Sequence, residues 1–336
     1  MIRLTAVALM IVATISSCKK PTDEIVEAED YKGVYVINEG AFGKGNGSIG
    51  LYKTGNITYQ DDVTKKQTGL PLGETVQSVT KINDKYFVAV TGSSKVDIFG
   101  SDWKFISSLS FPSPRYILSV SPTKAYVTNV FYNNISIIDP TTNTISASQI
   151  AVPSGTDKMV MDSSKAFILS GYGKKFVYVV TTADDKLIDS IDVGLNPAGI
   201  VVAGGKIYVL NTGDATNSIK GRISVIGINS RKVERFYELD ASYYGGDLKY
   251  YGGNLYASLG NDKLYLIQLN ATSMSTSFIT APGSIYGFNI NTNGDIYIAD
   301  AGDYVNQGKV HIYSSAGVFQ KTFTAGFVPN GFFFNE

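Results

Sequence analysis

The chain has 336 residues, and its 29 Lys and Arg balance 29 Asp and Glu. No basic block lies in the body of the chain, so the positive field that nucleic-acid backbone recognition needs is missing. A single cysteine excludes an intrachain disulfide, and a single histidine leaves no Cys/His zinc spacing. In chain order, the first predicted element is an export signal. Arg3 supplies the positive start, and residues 4–15 form an apolar core too short to span a bilayer. Residues 19–30 are polar and acidic and contain Pro21, which predicts a flexible tether. From Tyr31 onward the chain is strand-like, and no segment shows sustained helical periodicity.

One phrase recurs along the body: VYVINEG (from Val34), YFVAVTG (from Tyr86), AYVTNVF (from Ala125), AFILSGY (from Ala166), IYVLNTG (from Ile207), LYASLGN (from Leu255) and IYIADAG (from Ile296). Its aromatics are Tyr35, Phe87, Tyr126, Phe167, Tyr208, Tyr256 and Tyr297, spaced by 52, 39, 41, 41, 48 and 41 residues. A strand-rich period near forty is one four-stranded propeller blade. Each phrase is followed by a β-branched strand such as SIGLYK (from Ser48) or KVDIFG (from Lys95). A more polar strand comes next, such as KFISSLSF (from Lys104), suited to a wet outer edge. An inner strand precedes each phrase from QSVTKI (from Gln77) on, while the first blade lacks one and the chain ends on GFFFNE (from Gly331). The expected fold is therefore an all-β, seven-bladed propeller, residues 31–336, closed by the last strand joining the first blade.

Catalytic groups are scarce. His311 lies in the strand KVHIYS, where one ring cannot assemble a convincing Ser–His–Asp triad, and no G-x-x-x-x-G-K-[ST] loop occurs. Asp295, Asp300 and Asp303 cluster in GDIYIADAGD, but their spacing misses the EF-hand pattern and matches turn chemistry. Trp103, the sole Trp, stands at the start of an outer strand, a poor place for stacking a quinone. The expectation is a binding protein, not an enzyme, with no intrinsic cofactor or metal.

In a propeller, the loops from second to third strand and from outer strand to next inner strand share one face around the channel mouth. Here they carry Phe42, Phe131, Tyr132, Tyr172 and Tyr304 in the first set, and Arg115, Tyr243, Tyr244, Tyr286 and Phe327 in the second. Asn133, Asn196 and Asn330 add neutral amides. Aromatic faces beside amides suit a large, flat, mostly neutral ligand. The ordinary alternative is that about half of these rings pack beneath the loops as satellite clusters.

Ile15-Ser16-Ser17-Cys18 resembles a bacterial lipobox, which implies cleavage after residue 17 and a lipidated Cys18 that tethers the protein without spanning the membrane. The acidic run after it is loosely similar to surface-export signals of Bacteroidota lipoproteins, with periplasmic display as the alternative. AYVTN resembles the repeat of surface-layer and YncE-type propellers. VYVINEGAFGKGNGSIGLY (Val34 to Tyr52), IADAGDYVNQGKVHIYS (Ile298 to Ser314) and GFVPNGFFF are similar to the first and last full blades and the ending of a family of Bacteroidota surface lipoproteins. Its BtuG-like members capture cobalamin and pass it to a TonB-dependent outer-membrane transporter. The resemblance implies that job here, on cobalamin or a related corrinoid, and nothing in the sequence demands more than a monomeric domain. The other reading is a protein–protein adaptor of a glycan-uptake complex.

Overall fold

The computed structural model describes residues 31–55, 58–271 and 276–335. The expected export signal, Cys18 and tether lie outside these residues.

Among the described residues the strands form seven four-stranded antiparallel sheets, the blades of a propeller. Each blade runs from an inner to an outer strand. Blade 2, for example, runs through Val76–Ile82, Lys85–Val90, Lys95–Gly100 and Phe105–Ser110. Burial peaks in the middle of the blade, and inner strands such as Thr156–Asp162, which face the channel, are mostly half-buried. The second strand Lys85–Val90 is buried almost throughout, because neighbouring blades cover both its faces; the outer strand Phe105–Ser110 has no buried residue.

The core is not one mass but seven clusters among the described residues, each between two adjacent blades. The recurring aromatic has one job in all of them: it packs onto the next blade. Phe87 joins Ile117 and Val127 of blade 3. Phe167 joins Ile207 and Val209 of blade 5. Tyr297, in blade 7, joins Val34 and Val36 of blade 1. Side chains alternate across a strand, so residues on either side of each aromatic pack onto the preceding blade. Fully burying such a side chain contributes about 1.5–3 kcal/mol.

Blade 1 is completed from the C-terminus. Strand Pro329–Asn335 pairs antiparallel with Gly33–Asn38 in the register Val34↔Phe334, Tyr35↔Phe333, Val36↔Phe332. Phe333 points towards blade 2, with its ring 5.8 Å from that of Tyr86. Phe332 and Phe334 point the other way, 5.7 and 5.4 Å from Tyr297 of blade 7.

Two spacings exceed the forty-residue period for local reasons. Blade 1 has only a three-residue outer strand, Thr58–Gln60, followed by a short helix, Val63–Thr68. Asp62 caps the helix by accepting from the Thr64 and Lys65 amides (2.9 and 3.0 Å), and Gly69 ends it in the left-handed region. Six residues are too few to show helical periodicity. In blade 5 a long loop joins Lys206–Asn211 to Arg222–Gly227. Trp103 sits in the turn before its outer strand, at φ 60°, and stacks on Tyr86 with centroids 4.3 Å apart. It is a core residue of the first interblade cluster. No helix among the described residues is long and apolar enough to cross a membrane.

Candidate functional site

Inner strands of all seven blades line a central cavity of about 340 Å³, with Phe332, Gln77, Tyr116, Lys158, Ile200, Asp247 and Phe288 contributed by blades 1 to 7 in turn. A second cavity of about 290 Å³ opens at one mouth and shares Tyr116 and Lys158 with the first. Its walls are the second-to-third-strand loops of blades 4 and 5 and the links that lead into blades 5 and 6. The loop face expected from propeller topology is thus a real concavity over blades 3 to 6.

A chain of paired charges crosses between cavity and channel. Arg115 donates from Nε to Asp157 Oδ2 at 3.0 Å, with Nη2 3.0 Å from the same oxygen, and from Nη1 to Gln77 Oε1. Lys158 reaches past blade 5, whose inner strand offers small Ala198 and Gly199, to Asp247 Oδ1 at 2.7 Å. On the way it donates to the Ala198 carbonyl at 2.9 Å. Lys249 holds the other oxygen of Asp247 at 2.8 Å. Burial alone would raise the Asp247 carboxyl, but the two ammonium groups outweigh it and hold it below the ordinary carboxylate range. Arg115 and Lys158 also lie over the ring of Tyr116, at 5.7 and 6.0 Å. Burial pushes that phenol up.

Four of the ten candidate binding residues line the mouth cavity: Arg115, Tyr172, Tyr243 and Tyr244. Tyr172 and Tyr244 are 81% and 78% exposed, so their rings have little protein against them. Tyr243 is half-buried and its hydroxyl donates to Asp240. Tyr286 and Tyr304 form a separate pair over blade 7, edge to face at 5.3 Å. The Tyr286 hydroxyl donates to Glu39 Oε2 at 3.0 Å, and Asn330 Nδ2 donates to Glu39 Oε1 at 2.9 Å. Burial raises the Glu39 carboxyl, against the opposing pull of these donors and of Arg115. Tyr304 stands at φ 62°, a strained conformation for an exposed ring on a loop tip. Phe42, Phe131 and Tyr132 are exposed but do not line the mouth cavity, and Phe327 is half-buried with its carbonyl accepting from the Gly40 amide.

None of the ten is buried. Of them Tyr243 packs, half-buried, against the cluster between blades 5 and 6, so the burial expected for about half of the rings is not reached. The amides behave differently. Asn196 is 8% exposed and spends its side chain on the Gly173 amide and the Gly213 carbonyl, both at 2.7 Å. It shapes the cavity wall. Asn133 is exposed. Gly260, at φ +69°, fixes the Tyr243–Gly246 link, since a Cβ there would fall 1.7 Å from the Tyr244 carbonyl oxygen.

The other acids have local tasks. Asp303 caps its own loop through the Val305 and Asn306 amides, Asp295 accepts from Gln320, and Asp300 faces His311 Nε2 at 3.6 Å. His311 is buried, its Nδ1 is 2.7 Å from the Thr322 hydroxyl, and burial lowers its pKa. Among the described residues no group of three or more His, Cys, Asp or Glu is placed to hold a metal.

The fold is shared widely. A quinoprotein alcohol dehydrogenase-like protein of Bacteroides thetaiotaomicron matches with a TM-score of 0.72 and 16% identity, over 91% of this chain and 79% of its own. Kuenenia stuttgartiensis hydrazine synthase matches with a TM-score of 0.63 and 15% identity, over 78% and 92%. AztD of Citrobacter koseri matches with a TM-score of 0.57 and 11% identity, over 89% and 96%. Likeness at this identity is a likeness of fold, and it spans enzymes and proteins not named as enzymes. No curated protein sequence matches. Residues 32–214, more than half of the chain, match one family model, and the chain belongs to that family, DUF5074, described as a domain of unknown function.

Proposed function

We propose that the protein is a surface lipoprotein that captures a neutral ligand on its loop face. The observation that carries this reading is the mouth cavity itself, where exposed Tyr172 and Tyr244 stand over a floor of mutually paired charges. Exposed rings with no tertiary partner offer contact area at low entropic cost. The floor supports capture more than catalysis, because the groups able to move protons, Asp157, Lys158 and Asp247, are held by their own partners. The cargo is cobalamin or a related corrinoid, on the sequence similarity to the cobalamin-capturing lipoproteins. A macrocycle exceeds 290 Å³ and would lie across the rim towards Phe131 and Tyr132. The lipid on Cys18 would hold the propeller at the outer membrane, beside a TonB-dependent transporter that takes the cargo.

The test is direct. The chain from residue 18 onward, carrying Cys18→Ser, is mixed with cyanocobalamin and passed through gel filtration while the corrinoid colour is followed. Colour travelling with the protein is expected, and Tyr172→Ala/Tyr244→Ala should lose it with an unchanged melting temperature. Colour eluting only as free ligand removes the corrinoid and turns the same rim towards a protein partner of a nutrient-uptake complex.

A further inference from the structure

We infer that the mouth cavity holds one hydroxylated ring, a single sugar unit, while the remainder of the ligand lies on the aromatic rim outside it. The inference rests on the capture reading above and adds the chemical class the cavity takes.

Size comes first. At about 290 Å³ the cavity is at the small end of the range for ligand pockets, enough for one ring and its substituents. Charge comes second. Arg115 is matched by Asp157, Lys158 and Lys249 share Asp247, and Asp214, which also lines the cavity, is held by its own turn, so cationic and anionic groups balance in number. An anion on the free N–H groups would stand beside Asp157, Asp214 and Asp247, and a cation beside Arg115 and Lys158, whereas a neutral polar group meets neither repulsion.

Hydrogen-bond capacity is the third point. Arg115 has five N–H groups, of which three are engaged, by Asp157 and Gln77. Lys158 has three, with two engaged by the Ala198 carbonyl and Asp247. Asp157 keeps acceptor capacity beyond its bonds to Arg115 and the Lys158 amide. The exposed Thr216 hydroxyl, on the loop whose turn Asp214 caps, both donates and accepts. Donors and acceptors interleaved around a small cavity match vicinal hydroxyls, each of which is both. Last, a sugar ring has C–H faces as well as a hydroxyl edge. Tyr172 from blade 4 and Tyr244 from the link between blades 5 and 6 supply apolar faces at the same cavity, flanking the blade 5 loop in ring order.

Such a ring has two sources here: the terminal unit of a neutral glycan, or the ribose in the nucleotide tail of a complete corrinoid. Calorimetry separates them. Wild type, Tyr172→Ala and Thr216→Val are titrated with cyanocobalamin, with dicyanocobinamide, which keeps the macrocycle but lacks the tail, and with a panel of neutral oligosaccharides. The expected result is one of two. Cyanocobalamin binds at least about tenfold tighter than cobinamide, or an oligosaccharide binds; in either case both variants weaken that ligand by about tenfold without a change in melting temperature. Equal affinity for the two corrinoids, with no saccharide binding, overturns the sugar cavity and leaves capture standing. So does a preferred ligand that neither variant weakens. Binding of nothing in the panel overturns both.

Discussion

At the scale of single residues, two carboxylates near the channel mouth are tuned in opposite directions, and this gives a signed test of the site's electrostatics. Asp247 is held below its ordinary range because Lys158 and Lys249 outweigh its burial. Its unfolded form therefore binds protons more readily than its folded form. The resulting stability is present above the unfolded value of about 3.9 and is lost as pH falls through the lower folded value. Glu39 is raised because burial outweighs Asn330, Tyr286 and Arg115. Its favourable contribution exists below the unfolded value of about 4.3 and disappears as pH rises through the higher folded one. In urea melts across pH 3 to 8, the advantage of wild type over Asp247→Asn should shrink on acidification, while Glu39→Gln should gain on wild type as pH rises. Parallel curves for either pair would show that the named charges do not control that group. Charges inside inner strands were readable in the sequence, in RYILSV, KMVMDS and GDLKYY, but which partner each finds was not. Lys158 pairs two blades away because blade 5 places Ala198 and Gly199 between, a fact of ring geometry rather than of local spacing.

At the scale of elements, the repeat was legible because each blade solves one packing problem with one pattern. The second strand must bury both faces and reads as a continuous apolar run; the outer strand meets water and reads as polar. The departures were invisible for equally local reasons. A helix of six residues has no periodicity to detect, and Trp103 in a left-handed turn looks like a strand start when only its neighbours are known. The clasp was legible as a missing inner strand, and its consequence is testable. Phe333 packs on Tyr35 and Tyr86, whereas Phe332 and Phe334 pack on Tyr297, so one strand seals the interfaces on both sides of blade 1. Removing residues 328–336 should leave Gly33–Asn38 an exposed edge and open two apolar clusters, giving an aggregation-prone protein without a cooperative melt. An unchanged melting temperature would mean that the ring does not depend on its clasp. Trp103→Ala, which empties the same interface from inside, should cost about 3–5 kcal/mol with the ring still closed.

At the scale of the whole molecule, topology alone assigns the aromatic loops to one face, because alternating loops of a propeller must share a face, and four of the ten candidates line the mouth cavity. The concavity could not be assigned in that way, since it depends on how blades 3 to 6 tilt their loops together and on backbone contacts such as that of Gly260 with Tyr244. The global charge bears directly on how a ligand is held. The chain is formally neutral, and at the mouth Arg115, Lys158 and Lys249 are balanced in number by Asp157, Asp247 and Asp214. A captured neutral ligand then gains little from long-range attraction and much from ring contact and short hydrogen bonds. Raising salt from 0.1 to 1 M shortens the Debye length from about 10 to about 3 Å and removes most interactions between exposed charges. Affinity for the captured ligand should change by less than about threefold over that range, since the contacts that remain are short-range. Titration of the wild type at both salt concentrations decides the matter. A steep loss of affinity would identify an ionic ligand held by charges outside the paired floor. A flat response, together with loss of binding in Tyr172→Ala/Tyr244→Ala, would place the binding energy in the two exposed rings at the mouth.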